Sequence, residues 1–206
     1  MTDQSLSYDE AIDAFIATNV PQEGNAGVVA AYRAVQAMPY YSGPDRTPQA
    51  ALRDGRGACT AKHLLLRDVL RRMGQVADVE IVEGDFASGI PLHGSMPDEL
   101  QDIIRDADVT DFHCRVRLEG PNGPQNLDAT WPLYLAAYGF PVEDQWDGQG
   151  DTRQAIAKVI PQPLVDDVLC GKARLLKGLE EARIDRRARF LALLSNWLNG
   201  LVPPSQ

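Results

Sequence analysis

Cysteine and histidine are scarce in this chain of 206 residues, with three of each. Cys59, Cys114 and Cys170 form no CxxC pair, so a structural zinc site has no support, and no metal is expected. An odd number of thiols without an export signal fits a reduced compartment better than a disulfide framework. No run approaches the roughly 20 apolar residues that a bilayer span needs. The start, residues 1–5, is polar and acidic, unlike a signal peptide. A cytoplasmic protein with no membrane partner is the expectation. Basic charge is short too: 20 Lys+Arg stand against 29 Asp+Glu, a formal net charge of −9. A nucleic-acid-binding face is expected to be basic, so nucleic acid is not an expected partner.

What remains is ordinary globular composition, 44% hydrophobic and 24% charged, at a length that suits one domain. The charge is unevenly placed. Residues 1–150 carry a net −12 and residues 151–206 a net +3. The split suggests an acidic body with a mildly basic, helical C-terminal section packed on it.

Ser7 and Glu10 form a capping-box pair ahead of a short amphipathic helix to about residue 19. A second helix is expected over 26–38 and one helical turn at 48–52. A strong helix is predicted over 59–73, with Leu65, Leu66, Val69, Leu70 and Met73 as its buried stripe and Gly74 as its stop. Strands are predicted at 76–82, 112–119 and 125–130, the last two joined as a hairpin by Pro121-Asn122-Gly123-Pro124. Residues 84–110 read as an insertion with eight acids between Glu83 and Asp111, and 97–107 as a short helix within it. Beyond the loop 141–151, helices are predicted over 152–159, 163–179 and 184–200, and residues 203–206 as a frayed tail.

Three motifs carry chemistry. Gly55-Arg56-Gly57-Ala58-Cys59 opens the strong helix, His113 lies near the start of a strand, and Asp128 follows the hairpin turn. A Cys at a helix N-terminus meets the positive end of the dipole, which favours the thiolate. Its own N–H can face a developing oxyanion. An imidazole can hold that thiolate as an ion pair and later protonate a leaving group. A carboxylate can orient the imidazole. The spacing of His113 and Asp128 across a hairpin allows the two to lie side by side.

The segment from Gly55 through Cys59 to Leu70-Arg71-Arg72-Met73-Gly74 resembles the catalytic-Cys segment of the transglutaminase-like superfamily. His113 heading its strand and Leu127-Asp128-Ala129-Thr130-Trp131 resemble that superfamily's His and Asp motifs, in the order Cys, His, Asp. The resemblance covers about residues 30–135. It implies an α+β, papain-like fold with the Cys helix packed on an antiparallel sheet. It also implies a Cys59–His113–Asp128 triad performing acyl transfer or hydrolysis on a peptide, protein or small amide, with no cofactor. The superfamily also holds non-catalytic members, so an interaction module is the alternative. Arylamine N-acetyltransferases use the same triad after Arg-Gly-Gly-x-Cys, where this chain has Arg-Gly-Ala-Cys. The insertion 84–110 and the C-terminal helices lie outside the resemblance. Tyr40, Tyr41 and Gln49 are candidates for a second oxyanion donor.

The remaining residues read more plainly. Cys114, next to His113 on a strand, points to the opposite face, into the core. Cys170 reads as structural and His93 as a solvated loop residue. His63, one turn after Cys59, is the rival partner for the thiolate, but helical projection points it along the helix surface, which favours His113. Trp131 reads as a core anchor. The acids of 83–111 read as a solvated face, with a lid for cationic substrates, or a calcium site lacking EF-hand spacing, as the sharper alternatives.

Overall fold

A computed structural model describes residues 6–201 of the chain. The polar start at 1–5 and the tail at 203–206 lie outside the described residues. Ser7 caps α1 (Tyr8–Asn19) through the expected reciprocal box with Glu10. Next come α2 (Gly24–Ala37), α3 (Pro48–Asp54) and α4 (Cys59–Arg72). The apolar stripe of α4 is buried: Leu65, Leu66, Val69 and Leu70 are completely covered. Each such side chain contributes about 1.5–3 kcal/mol relative to exposure.

The sheet contains β1 (Ala77–Asp85), β2 (Thr110–Gly120), β3 (Gly123–Leu127) and β4 (Ala157–Pro161), in the order β3-β2-β1-β4. Every pairing is antiparallel. Gly120 pairs with Gly123, so the β2–β3 hairpin closes on the two residues Pro121 and Asn122. The connection from β1 to β2 is the insertion, and it carries α5 (Asp98–Asp106). After β4 the chain ends in α6 (Val168–Lys177) and α7 (Glu181–Asn199). The architecture is α+β, with the helix that begins at Cys59 packed on an antiparallel sheet.

The strand β4 corrects the helix expected over 152–159. Val159 and Ile160 are β-branched and lead directly into Pro161, whose missing N–H no helix interior tolerates. The open edge of β1 supplies the pairing instead, Val82 with Pro161 and Glu83 with Ile160.

Two apolar clusters flank the sheet. One joins α1, α2 and α4 to Val79, Ile81, Cys114, Val116 and Leu118. The other joins Val82 and Trp131 to Leu100, Ile103 and Ile104 of α5 and to Phe190, Leu194 and Leu198 of α7. Cys114 thus lies in the core as expected, whereas Cys170 is exposed on α6. Trp131 packs between Tyr40 and Phe140. His93 is half-buried against Tyr138 and Trp197 rather than solvated. No helix of the described residues is long and apolar enough to cross a membrane.

Candidate functional site

The turn before α4 is built by glycine and by the preceding chain. Gly55 ends α3 with φ at 60°, a left-handed conformation that costs a residue with a Cβ. Gly57 then pairs with the stretch after α2: its N–H donates to Pro39 O and its carbonyl accepts from Tyr41 N–H, each at 3.1 Å. Ala58 is the N-cap and offers no side-chain acceptor. The first N–H groups of α4, that of Cys59 among them, are therefore left without intrahelical partners at the positive end of the dipole.

β2 brings His113 and the chain after β3 brings Asp128. His113 Nε2 lies 2.8 Å from Asp128 Oδ2, and both side chains are buried. The same carboxylate accepts from Ala155 N–H at 2.8 Å and from Thr130 N–H at 3.0 Å. Burial works against its charge, but the His113 cation and these donors hold the Asp128 carboxyl well below the usual range. Nε2 is occupied by Asp128, and Nδ1 has no hydrogen-bond partner of ordinary geometry. Nδ1 is thus the ring nitrogen left for Cys59.

The thiol and the ring shift each other strongly. Burial alone would raise the Cys59 thiol, but the charges of Lys172 and His113 outweigh it and bring it down to about 6. Burial alone would lower the His113 imidazolium, but Asp128 and the thiolate outweigh it and bring it up to about 10. Between those values the stable pair is thiolate and imidazolium. Cys59 itself is only 3% exposed.

His63 lies on the buried face of α4 rather than along its surface, with its ring 5.7 Å from that of His113. Its Nε2 accepts from Ala129 N–H at 2.8 Å and lies 3.5 Å from Asp128 Oδ1. Burial pushes its imidazole down to about 3, so it is neutral and braces the Asp128 segment. Ligand-type atoms of His63, His113 and Asp128 fall within 4.8 Å of one another, a spacing a metal ion could bridge. Hydrogen bonds engage His63 Nε2, His113 Nε2 and both Asp128 oxygens.

Sequence reasoning did not single out Lys172, Asp111 or Arg187. Lys172 of α6 places Nζ 3.9 Å from Cys59 Sγ and 3.1 Å from Thr60 Oγ1. Asp111 of β2 accepts from Arg187 of α7 at 2.6 Å. A signal for Lys172 was present: it stands midway between Val168 and Leu176, where the apolar stripe of its helix has a cation. Of the oxyanion candidates, Gln49 lines a groove with Phe15 and Leu52, whereas Tyr40 is buried in the field of Cys59. Tyr41 lies under the Arg56 guanidinium, 4.0 Å from its ring centroid.

No family model matches this chain, and no curated protein matches it. Among solved structures, a crystal structure of a TGase is similar at a TM-score of 0.43 and 13% identity, over 65% of this chain and 36% of that one. The chain thus spans 36% of that structure's length.

Proposed function

We propose that the chain is a cysteine-dependent acyl-transfer or hydrolytic enzyme of the transglutaminase-like kind, acting on an amide-type carbonyl of a peptide, protein or small amide. The observation that carries this reading is the His113–Asp128 pair at 2.8 Å with its second ring nitrogen left for a thiol at the start of α4. In the cycle, the Cys59 thiolate attacks the carbonyl carbon and a C–S bond forms. The Cys59 N–H, with Tyr40 as the second donor, faces the oxyanion. His113 gives its proton to the departing amine, leaving a thioester. Water or a second amine then attacks the thioester, losing a proton to His113, and the thiolate returns. Water makes the protein a hydrolase and an amine makes it a transferase. The cycle draws on no metal or organic cofactor.

The burial of Cys59 favours a second reading, a non-catalytic interaction module that keeps the fold. One experiment separates the two. The protein is incubated with a panel of amide and ester acyl donors, quenched in acid, and weighed intact by mass spectrometry. An enzyme gains the acyl mass on the peptide containing Cys59, and Cys59→Ala gains none. A panel without any acyl adduct at Cys59 leaves the interaction module.

A further inference from the structure

We propose that Lys172 is a positioning residue of the candidate site: its buried ammonium, delivered by α6, holds the Cys59 sulfur as an anion beside His113. The geometry makes the case. Lys172 is 4% exposed, and its Nζ reaches two side-chain atoms, Thr60 Oγ1 at 3.1 Å and Cys59 Sγ at 3.9 Å. A buried ammonium needs an anion, because a neutral hydroxyl does not offset the loss of water. Among the described residues no carboxylate lies within salt-bridge distance of Lys172. The nearby carboxylate that does act on it, Asp111, is already held by Arg187 at 2.6 Å. The sulfur is the anion left.

The helix is shaped for this approach. At Gly171 an added Cβ would come within 2.8 Å of Val165 Cγ2, in the segment leading into α6, and touch Ile81 Cδ1 of β1 at 3.6 Å, so the glycine lets that segment and the helix pack closely. The other groups that act on the thiol do not substitute for Lys172. From β2, His113 adds a cation, Asp111 opposes it, and Cys114 has its own thiol raised to about 11 by burial. From α7, Arg187 is committed to Asp111. From α4, Lys62 donates to three backbone carbonyls. Tyr40 stays protonated, with burial raising its hydroxyl.

The test is the ultraviolet absorbance of the Cys59 thiolate against pH, taken as the difference from Cys59→Ala, in the intact chain and in Lys172→Met and Lys172→Arg. Lys172→Met is expected to raise the midpoint by at least about one pH unit, as loss of an opposite charge at this distance does. Lys172→Arg is expected to restore most of the shift. An unmoved midpoint in a folded Lys172→Met overturns the proposal, since a merely structural lysine would change stability and leave the titration in place. Should Lys172→Met fail to fold, the Lys172 Nζ resonance is titrated by NMR in Cys59→Ala. Linkage then requires the lysine midpoint to fall relative to the intact chain, and an unchanged midpoint overturns the proposal. The role rests on reading Cys59 as the nucleophile, and the two fail separately. An acyl-donor panel without adduct sinks that reading, whereas an unmoved thiolate midpoint sinks this one.

Discussion

At the scale of single residues, Asp128 is the hub. Its carboxylate serves His113, Ala155 N–H and Thr130 N–H, and its backbone carbonyl accepts from Tyr32 OH at 3.0 Å. Asp128→Asn would turn one acceptor into a donor facing a donor. The expected outcome is a loss of about 1–3 kcal/mol, read from the urea midpoint. Lys62 is a second hub: its Nζ donates to the carbonyls of Gln36, Met38 and Thr130 at 3.2, 2.8 and 2.9 Å. The titration of the pair sets a rate profile. The thiolate exists above about 6 and the imidazolium below about 10. Acyl-enzyme formation should therefore rise with pH through about 6, stay level, and fall through about 10. A profile that rises only near the ordinary thiol value, about 8.5, would show that the charges do not act on the sulfur. That Cys59 opens a helix and that His113 meets Asp128 were legible in the sequence, because each sits in a local motif beside a turn or a helix start. The contact of Lys172 with Cys59 was not, because it arises only through the packing of α6, 113 residues later.

At the scale of elements, α7 separates two kinds of ion pair. Arg189 meets Glu99 of α5 in the open, and Arg183 and Arg186 reach Asp108 and Asp106 at 3.8 Å. Arg187 meets Asp111 at 2.6 Å with both side chains nearly covered. Exposed pairs are weak and screened by salt, whereas a broken buried pair leaves an uncompensated charge. Arg189→Ala should leave the thermal midpoint unchanged within error. Arg187→Ala should cost about 3–5 kcal/mol in chemical unfolding. These contacts also revise the acidic insertion. Several acids of 83–111, Glu99, Asp106, Asp108 and Asp111, face α7 arginines rather than forming an open acidic lid for cationic substrates. The helices α1, α2 and α4 and the β2–β3 hairpin were legible from caps, apolar period and turn residues. Strand β4 was not, because its partner edge on β1 is distant in sequence and its own pattern is short and half-exposed.

At the scale of the whole molecule, the charge imbalance between the two ends of the chain is resolved by packing. The basic C-terminal section packs on the acidic body, as the sequence led one to expect, and its arginines meet the acids between Glu99 and Asp111. Several carboxylates depend on that packing or on the sheet. Burial opposes the charge of Asp111 and Asp85, but cations and hydrogen bonds win, holding Asp111 well below the usual range and Asp85 at about 2. In the unfolded chain such groups take up protons near about 4, while in the folded chain they do not until lower pH. Their stabilisation is therefore present above about 4 and is lost as pH falls through the folded values, so the urea midpoint should drop steeply between about pH 4 and about pH 2. A flat acid limb would contradict the ionised state of these groups.

The late arrival of Lys172 has a further consequence, in time rather than in space. During synthesis Cys59 leaves the ribosome well before the residue that sits 3.9 Å from its sulfur, 113 positions on. At ordinary elongation rates that interval is on the order of ten seconds. Through it a thiol in an unfolded chain has its ordinary acidity, about 8.5, and is mostly protonated at neutral pH. On the proposed role of Lys172, the thiolate forms only once α6 has emerged and packed, so a nascent chain still lacking α6 would be spared early acylation and oxidation at Cys59.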